Sequence, residues 1–164
     1  MSYFENKRIL ITGATSGIGY AITCALARKP YKLVICGRNQ AVLDRLKKHF
    51  PESITLALNF DVTDKAHNMK AASDIKKTMG GLDIAILNAG ASESVNMQDF
   101  DSTVYERMMA VNYFSMVYAV EAFLPLLRQS QCPHLVGMSS IAGYTGLPSR
   151  HAYSSSKAAS RNFL

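Results

Sequence analysis

Short apolar runs alternate along the chain with longer stretches in which apolar residues recur at helical spacing. The short runs predict β-strands at 8–11, 32–36, 54–59, 82–87 and 135–138. The longer stretches predict helices at 17–29, 40–49, 65–79 and 103–129, and a last helix that begins at residue 152. Regular alternation of this kind is typical of units in which a helix connects two parallel strands.

The predicted strands are apolar on both faces, which indicates that neither face of the sheet meets water. A parallel sheet with helices on both sides satisfies that requirement. We therefore predict an α/β fold of the Rossmann type, a doubly wound parallel sheet. The whole chain, residues 1–164, has the length of one such domain.

Composition and charge change this interpretation little. Apolar residues make up 48% of the chain and charged residues 18%, as in a compact globular protein. The formal net charge is +6, but the basic residues are scattered, with doublets at Lys47-Lys48 and Lys76-Lys77 on amphipathic stretches. A nucleic-acid partner is therefore not expected, although a positive field favours an anionic cofactor.

The three cysteines have no spacing that suggests a metal site or a disulfide framework. The first residues lack the apolar core of a signal peptide, and no apolar run approaches the ~20 residues of a membrane helix. These observations predict a cytoplasmic protein with neither a bound metal nor a membrane partner.

A glycine-rich turn, TGATSGIG, follows the first predicted strand and leads into the first predicted helix. Its glycines allow the backbone to approach a pyrophosphate, and the free N–H groups of the helix attract the negative charge. Glycines also build ordinary turns, but the order strand, turn, helix, strand favours a dinucleotide site. The candidate binding residues are Gly13, Thr15, Ser16, Gly17, Ile18 and Gly19.

Arg38 directly follows the second predicted strand, where dinucleotide folds recognise the adenosine ribose. An acidic residue there accepts hydrogen bonds from the ribose hydroxyls of NAD, whereas an arginine pairs with a 2′-phosphate. Arg38 therefore favours NADP(H) over NAD(H). The alternative is an exposed arginine at the start of a helix.

Two further segments end predicted strands at the same edge of the sheet. Asp61 and Val62 follow the third strand and are candidates for contact with adenine. The segment Asn88, Ala89 and Gly90 follows the fourth strand and is a candidate for the same cleft. Asp61 could equally be an ordinary helix cap.

Tyr153 and Lys157 lie four residues apart on the last predicted helix, so their side chains share one face. Reduction of a carbonyl needs a proton donor for the developing alkoxide. At about 4 Å and an effective dielectric constant of about 20, an ammonium ion stabilises a phenolate by about 4 kcal/mol. Ser139 and Ser140, which end the fifth predicted strand, bring hydroxyl groups to the same edge.

The motifs TGATSGIG, NAG, VNYFS, MSSIAG and YSSSK resemble, in order and spacing, those of the classical short-chain dehydrogenase/reductase family. The resemblance runs from about Lys7 to Leu164. It implies a carbonyl or alcohol substrate, with Tyr153 as proton donor or acceptor and Ser140 polarising the carbonyl. It also implies that Lys157 acts on Tyr153 and holds the nicotinamide ribose.

Three more expectations concern single residues and assembly. The resemblance implies that Asn112 anchors a proton-relay water, with a buried structural asparagine as the alternative. Strand alternation predicts that Ser139 faces away from the site of Ser140. A homodimer or homotetramer is expected through the long helix.

The resemblance further implies about a hundred more residues at the C-terminus, so we expect a fragment of a longer protein. Two alternatives to a reductase remain. One is a non-catalytic NADP(H)-binding or scaffold protein of the same fold. The other is a nucleotide-sugar epimerase or dehydratase of the extended branch, against which the spacing of Gly13, Gly17 and Gly19 argues.

Overall fold

The computed structural model describes residues 6–164. Five strands form one sheet in the order β3-β2-β1-β4-β5, and every neighbouring pair is parallel. The strands are β1 (Arg8–Thr12), β2 (Lys32–Gly37), β3 (Ile54–Asn59), β4 (Ile84–Leu87) and β5 (His134–Gly137). The predicted doubly wound parallel sheet is confirmed.

Helices connect the strands: α1 (Gly17–Leu26), α2 (Gln40–His49), α3 (Lys65–Met79), α4 (Ser102–Met109) and α5 (Ser115–Leu127). A further helix, α6 (His151–Phe163), follows β5. Side chains cap several of these helices at the first turn, where backbone N–H groups lack helical partners. Asn39 caps α2, Asp64 caps α3 and Asp101 caps α4. Gly80, with φ of 71°, ends α3 in the left-handed conformation.

Alternate residues of the central strands enter two separate cores. Leu10 and Val34 point to one face of the sheet, where buried residues of α3 and α5 cover them. Ile11 and Ile35 point to the other face, which packs with buried Leu43 and Leu46 of α2 and partly buried residues of α1. Both faces are therefore dry, which explains the uninterrupted apolar strands in the sequence.

The helix predicted at 103–129 is interrupted. A π-helical turn, Ala110–Phe114, separates α4 from α5 and contains buried Asn112. A continuous α-helix was therefore the wrong prediction for this segment. Single π-turns inside helices are frequent at functional sites, because the extra residue changes the direction of nearby side chains.

Among residues 6–164, one helix, Ser102–Leu127 including the π-turn, is long and apolar enough by length and composition to cross a membrane. The apolar runs of the sequence did not predict such a helix. In the fold, Met116, Ala119 and Phe123 of this helix are buried against the sheet. Packing on the sheet accounts for its apolar face.

Asp83 joins three segments at the amino end of the sheet. Its carboxylate accepts hydrogen bonds from the backbone N, Nε and Nη2 of Arg8 at 2.8 to 2.9 Å, and from Ser130 Oγ at 2.6 Å. Burial opposes ionisation, but the hydrogen bonds from Arg8 and Ser130 outweigh it and hold the pKa of Asp83 well below its ordinary range. This cluster fixes β1 beside β4 at the edge opposite the cleft.

Candidate active site

A cleft of about 370 Å³ opens at the carboxyl ends of the strands. Open α/β sheets bind their ligands at this edge. Most of the residues singled out from the sequence lie on its wall: Gly13, Thr15, Ser16, Gly17, Ile18, Arg38, Asp61, Val62, Asn88, Ala89, Gly90, Tyr153 and Lys157. The fold therefore brings the two predicted halves of the site, nucleotide and chemical, into one cleft.

The glycine turn exposes its backbone to the cleft at the start of α1. Gly17 has φ of 51°, and a Cβ placed on it would meet nothing within 4 Å, so the backbone faces open space. Ser16 precedes α1 without a side-chain cap, which leaves N–H groups of the first turn available. An open glycine and an uncapped helix start fit the pyrophosphate of a dinucleotide.

Gly19 lies behind the turn and not on the cleft wall. A Cβ at this position would collide with the carbonyl oxygen of Gly13 and with Asn88 Nδ2. The absence of a side chain thus allows α1 to pack closely against the end of β1. Gly19 therefore determines the shape of the turn.

Asn88 supports the glycine turn from below. Its Nδ2 donates to the carbonyl oxygens of Thr12 at 3.0 Å and of Gly13 at 3.4 Å. Thr12 Oγ1 in turn accepts from the backbone N of Asn88 and of Ala89, both at 3.0 Å. These bonds hold the strand ends of β1 and β4 together at the floor of the cleft.

Arg38 and Asp61 face each other at the end of the cleft next to β2 and β3. Arg38 Nη1 lies 3.7 Å from Asp61 Oδ2. Burial acts against ionisation of Asp61, but hydrogen bonds from Thr63 and the charge of Arg38 outweigh it and lower the pKa of the carboxyl. The structure therefore places an ion pair where the sequence indicated two independent contacts.

Tyr153 and Lys157 line the opposite part of the cleft. Lys157 is 5% exposed, and its Nζ donates to the carbonyl oxygen of Met138 at 2.7 Å. The ammonium lies 6.0 Å from the centre of the Tyr153 ring. Burial lowers the pKa of Lys157. Gly90 lies next to Lys157, because a Cβ at Gly90 would come within 3.6 Å of Nζ.

Asn112 lies behind this wall and is 1% exposed. Its Oδ1 accepts from the backbone N of Ala91, and its Nδ2 donates to the carbonyl oxygen of Ala91 and to Ser156 Oγ, all at 2.9 Å. Its own carbonyl oxygen accepts from Ser160 Oγ at 2.7 Å. Every polar side-chain atom thus has a protein partner, and the residue ties the π-turn to α6.

The two serines after β5 take different positions from those expected. Ser139 lies on the cleft wall, although strand alternation predicted that it faces elsewhere. Ser140 is half-buried, outside the set of lining residues, and its Oγ accepts from the backbone N of Ala142 at 3.2 Å. Strand β5 already ends at Gly137, so the alternation does not extend to these residues.

Several wall residues were not anticipated: Gly37, Phe60, Ala91, Ser92, Val111, Met138 and Ser139. Gly37, Phe60 and Met138 end or follow a strand, so the rule that strand ends form the cleft could have found them. Val111 lies in the π-turn, for which the apolar pattern carried no signal.

The family model described as short chain dehydrogenase matches residues 7–164 of this chain. The chain belongs to the short-chain dehydrogenase family. A mouse member, dehydrogenase/reductase SDR family member 7B, is 34% identical over 99% of this chain and 52% of its own length. An uncharacterized oxidoreductase of Staphylococcus aureus is 33% identical over 97% of this chain and 69% of its own.

Solved short-chain dehydrogenase structures have the same fold. One from Burkholderia phymatum, in complex with NAD, gives a TM-score of 0.91 at 27% identity and covers 99% of this chain and 59% of its own. One from Streptomyces avermitilis gives 0.90 at 26% identity with the same coverage. The chain thus spans about half the length of the SDR family member 7B relatives it matches.

Proposed function

We propose that the complete protein is an NADP(H)-dependent oxidoreductase that interconverts a carbonyl and an alcohol by hydride transfer. The observation that supports this most is the shared cleft, whose wall includes both the glycine turn and the pair Tyr153 and Lys157. Family membership supports the general class of dehydrogenase or reductase with a nicotinamide cofactor. The substrate is a small-molecule carbonyl or alcohol.

The residues of the cleft would hold the cofactor in three parts. The glycine turn and the start of α1 would bind the pyrophosphate, since uncapped N–H groups and an open Gly17 are available there. Arg38 and Asp61 would flank the adenosine, and Lys157 would hold the nicotinamide ribose. The bound nicotinamide supplies or accepts the hydride.

Residues of this chain would supply the proton to the substrate oxygen. Tyr153 would give its phenolic proton to the carbonyl oxygen as negative charge develops there. Lys157 uses one ammonium donor on Met138, which leaves two donors for the phenol and a ribose hydroxyl. Ser140 lies outside the set of cleft-lining residues, so its role comes from the family resemblance and not from its position. Its Oγ accepts from Ala142, which leaves its own proton to donate to the substrate oxygen.

Asn112 would contribute through its backbone. Because its amide group is fully used within the protein, any relay water would bind its carbonyl oxygen, which accepts one bond from Ser160 and has a second lone pair. A purely structural role for the side chain is consistent with the same contacts.

The catalytic assignment is tested with Tyr153→Phe in the complete protein. We expect cofactor affinity to stay within about twofold while turnover falls by at least about 10³-fold, because the variant cannot donate a proton. Tyr31→Phe, between α1 and β2 and outside the set of cleft-lining residues, is the matched control and should keep full activity. Undiminished turnover in Tyr153→Phe would refute the assignment.

The alternative of a non-catalytic NADP(H)-binding or scaffold protein gives a different result in the same assay. The unaltered protein would then bind the cofactor but oxidise none of it with any carbonyl tested.

Preference for NADP(H) is the part of the proposal that rests on Arg38. The relative from Burkholderia phymatum was solved with NAD, so we expect residues at the adenosine ribose, rather than the fold, to decide between the cofactors. Arg38→Asp should lower the ratio of NADPH to NADH affinity by at least about tenfold through lost charge-assisted hydrogen bonds. An unchanged ratio of NADPH to NADH affinity would exclude Arg38 as the residue that recognises the 2′-phosphate.

We further propose assembly of the complete protein into a dimer or tetramer through the long helix. Phe114 is 44% exposed and stacks on Tyr118, which gives this helix an apolar outer surface. Cytoplasmic location remains an expectation from the sequence.

A further inference from the structure

The carboxylate of Asp61 faces the guanidinium of Arg38, the group proposed to bind a 2′-phosphate. Its Oδ2 lies 3.7 Å from Arg38 Nη1, and both residues form the wall at the same end of the cleft. Arg38 is the more accessible partner, with 78% of its side chain exposed against 44% for Asp61. The guanidinium can therefore turn towards a ligand, but it does so beside a fixed negative charge.

Asp61 does not depend on Arg38 for its position. Its Oδ1 accepts from the backbone N of Thr63 at 2.9 Å and from Thr63 Oγ1 at 2.8 Å. These two bonds orient the carboxylate so that Oδ2 remains directed to Arg38. They also help to keep the group ionised at neutral pH, as the lowered pKa of Asp61 indicates.

We propose that Asp61 is a selectivity residue that weakens, without abolishing, the preference of Arg38 for 2′-phosphorylated cofactors. This inference rests on the proposed function, since it requires a dinucleotide in the cleft. It adds to that function an opposing charge that reduces discrimination between the two cofactors.

The physical reason lies in the different charges of the two ligands. A 2′-phosphate is a dianion or nearly so at neutral pH; it competes with Asp61 for the guanidinium and is repelled by the carboxylate. A 2′-hydroxyl carries no charge and can donate a hydrogen bond to a carboxylate. Any contact of Asp61 with adenine is common to both ligands and cancels in the ratio of their affinities.

The test compares adenosine 2′,5′-bisphosphate with adenosine 5′-monophosphate, which differ in the 2′-phosphate alone. Dissociation constants are measured by titration calorimetry on the complete protein and on Asp61→Asn. The amide oxygen of Asn can still accept both bonds from Thr63, so the turn after β3 is retained.

We expect Asp61→Asn to raise the selectivity for the bisphosphate about fivefold, the effect of removing one exposed like charge. The gain should shrink as ionic strength rises, because salt screens exposed charges. Asp74→Asn is the matched control. It removes the same charge from α3, where Asp74 pairs with Lys70 and does not line the cleft, and it should leave the selectivity unchanged.

An unchanged selectivity in Asp61→Asn would overturn the inference. A lower selectivity would also overturn it, because Asp61 would then be orienting Arg38 for the phosphate. Failure of both mononucleotides to bind the unaltered protein would overturn the inference together with the cofactor site. If selectivity rises as expected but no carbonyl is reduced, the inference stands and the proposed activity fails.

Discussion

Lys157 combines a buried charge with a catalytic assignment, so its removal should affect stability and activity in opposite directions. The residue is 5% exposed, and its Nζ donates a hydrogen bond to the carbonyl oxygen of Met138. Within residues 6–164 it forms no ion pair with a carboxylate. We predict that Lys157→Met leaves the complete protein at least as stable as before while abolishing turnover.

The expected magnitude follows from the burial and the single hydrogen bond. Transfer of an ammonium ion out of water costs several kcal/mol even after relaxation, whereas one hydrogen bond to a charged group returns about 1.5 to 3 kcal/mol. Methionine fills a similar volume without that cost, although the carbonyl of Met138 loses its donor. The net change in the free energy of unfolding is therefore between about 0 and 2 kcal/mol in favour of the variant.

The free energy of unfolding should depend on pH in a definite direction. Burial lowers the pKa of Lys157 in the folded state, so the unfolded chain binds more protons in the window between the folded pKa and the unfolded value. Stability of the unaltered protein should rise with pH through that window, which ends near the ordinary lysine pKa of about 10.4. The gain in the free energy of unfolding from Lys157→Met is therefore complete below the folded pKa of Lys157 and disappears above the unfolded pKa.

Urea unfolding at about pH 7 and about pH 10, with carbonyl reduction measured on the same samples, tests both halves of the prediction. Lys70→Met is the control, because Lys70 is exposed and pairs with Asp74 on α3; it should change stability by less than about 0.5 kcal/mol. A loss of more than about 1 kcal/mol in Lys157→Met at neutral pH would show that the buried ammonium stabilises the fold, contrary to this reasoning.

Two other substitutions test the framework of the cleft. Asp83→Asn should lower the free energy of unfolding by about 3 kcal/mol, because Arg8 loses its charged partner. In urea unfolding this difference should persist above about pH 4 and fade on further acidification, since the folded pKa of Asp83 is depressed. Gly19→Ala should destabilise by about 1 to 3 kcal/mol and weaken nucleotide binding in calorimetry, because its Cβ collides with Asn88. Gly146→Ala, where a Cβ meets nothing within 4 Å, should do neither.

Much of the architecture could be predicted from local pattern. All five predicted strands are present within two residues of their expected bounds, because apolar runs and helical spacing are properties of adjacent residues. The positions of the glycine turn and of Arg38 on the cleft wall could be predicted for a related reason. Each follows a strand directly, and parallel strands end at one edge of the sheet.

The sequence-based predictions were wrong where contacts between residues far apart in the chain determine the local structure. The π-turn at Asn112 depends on contacts with Ala91 and Ser156, which lie 21 and 44 residues away in the chain. The pattern of apolar positions through that helix contains no sign of them. The placement of Ser139 on the wall likewise depends on where β5 stops pairing with β4.

By itself the sequence determined the order of strands and helices, the glycine turn and the types of reactive side chain, since each is encoded within a few adjacent residues. Only the tertiary structure decided which of these groups face each other. It paired Arg38 with Asp61 and buried Lys157 without a carboxylate partner in the described part of the chain. The physical reason is that charge interactions and burial depend on distances in space, which the packing of whole elements sets.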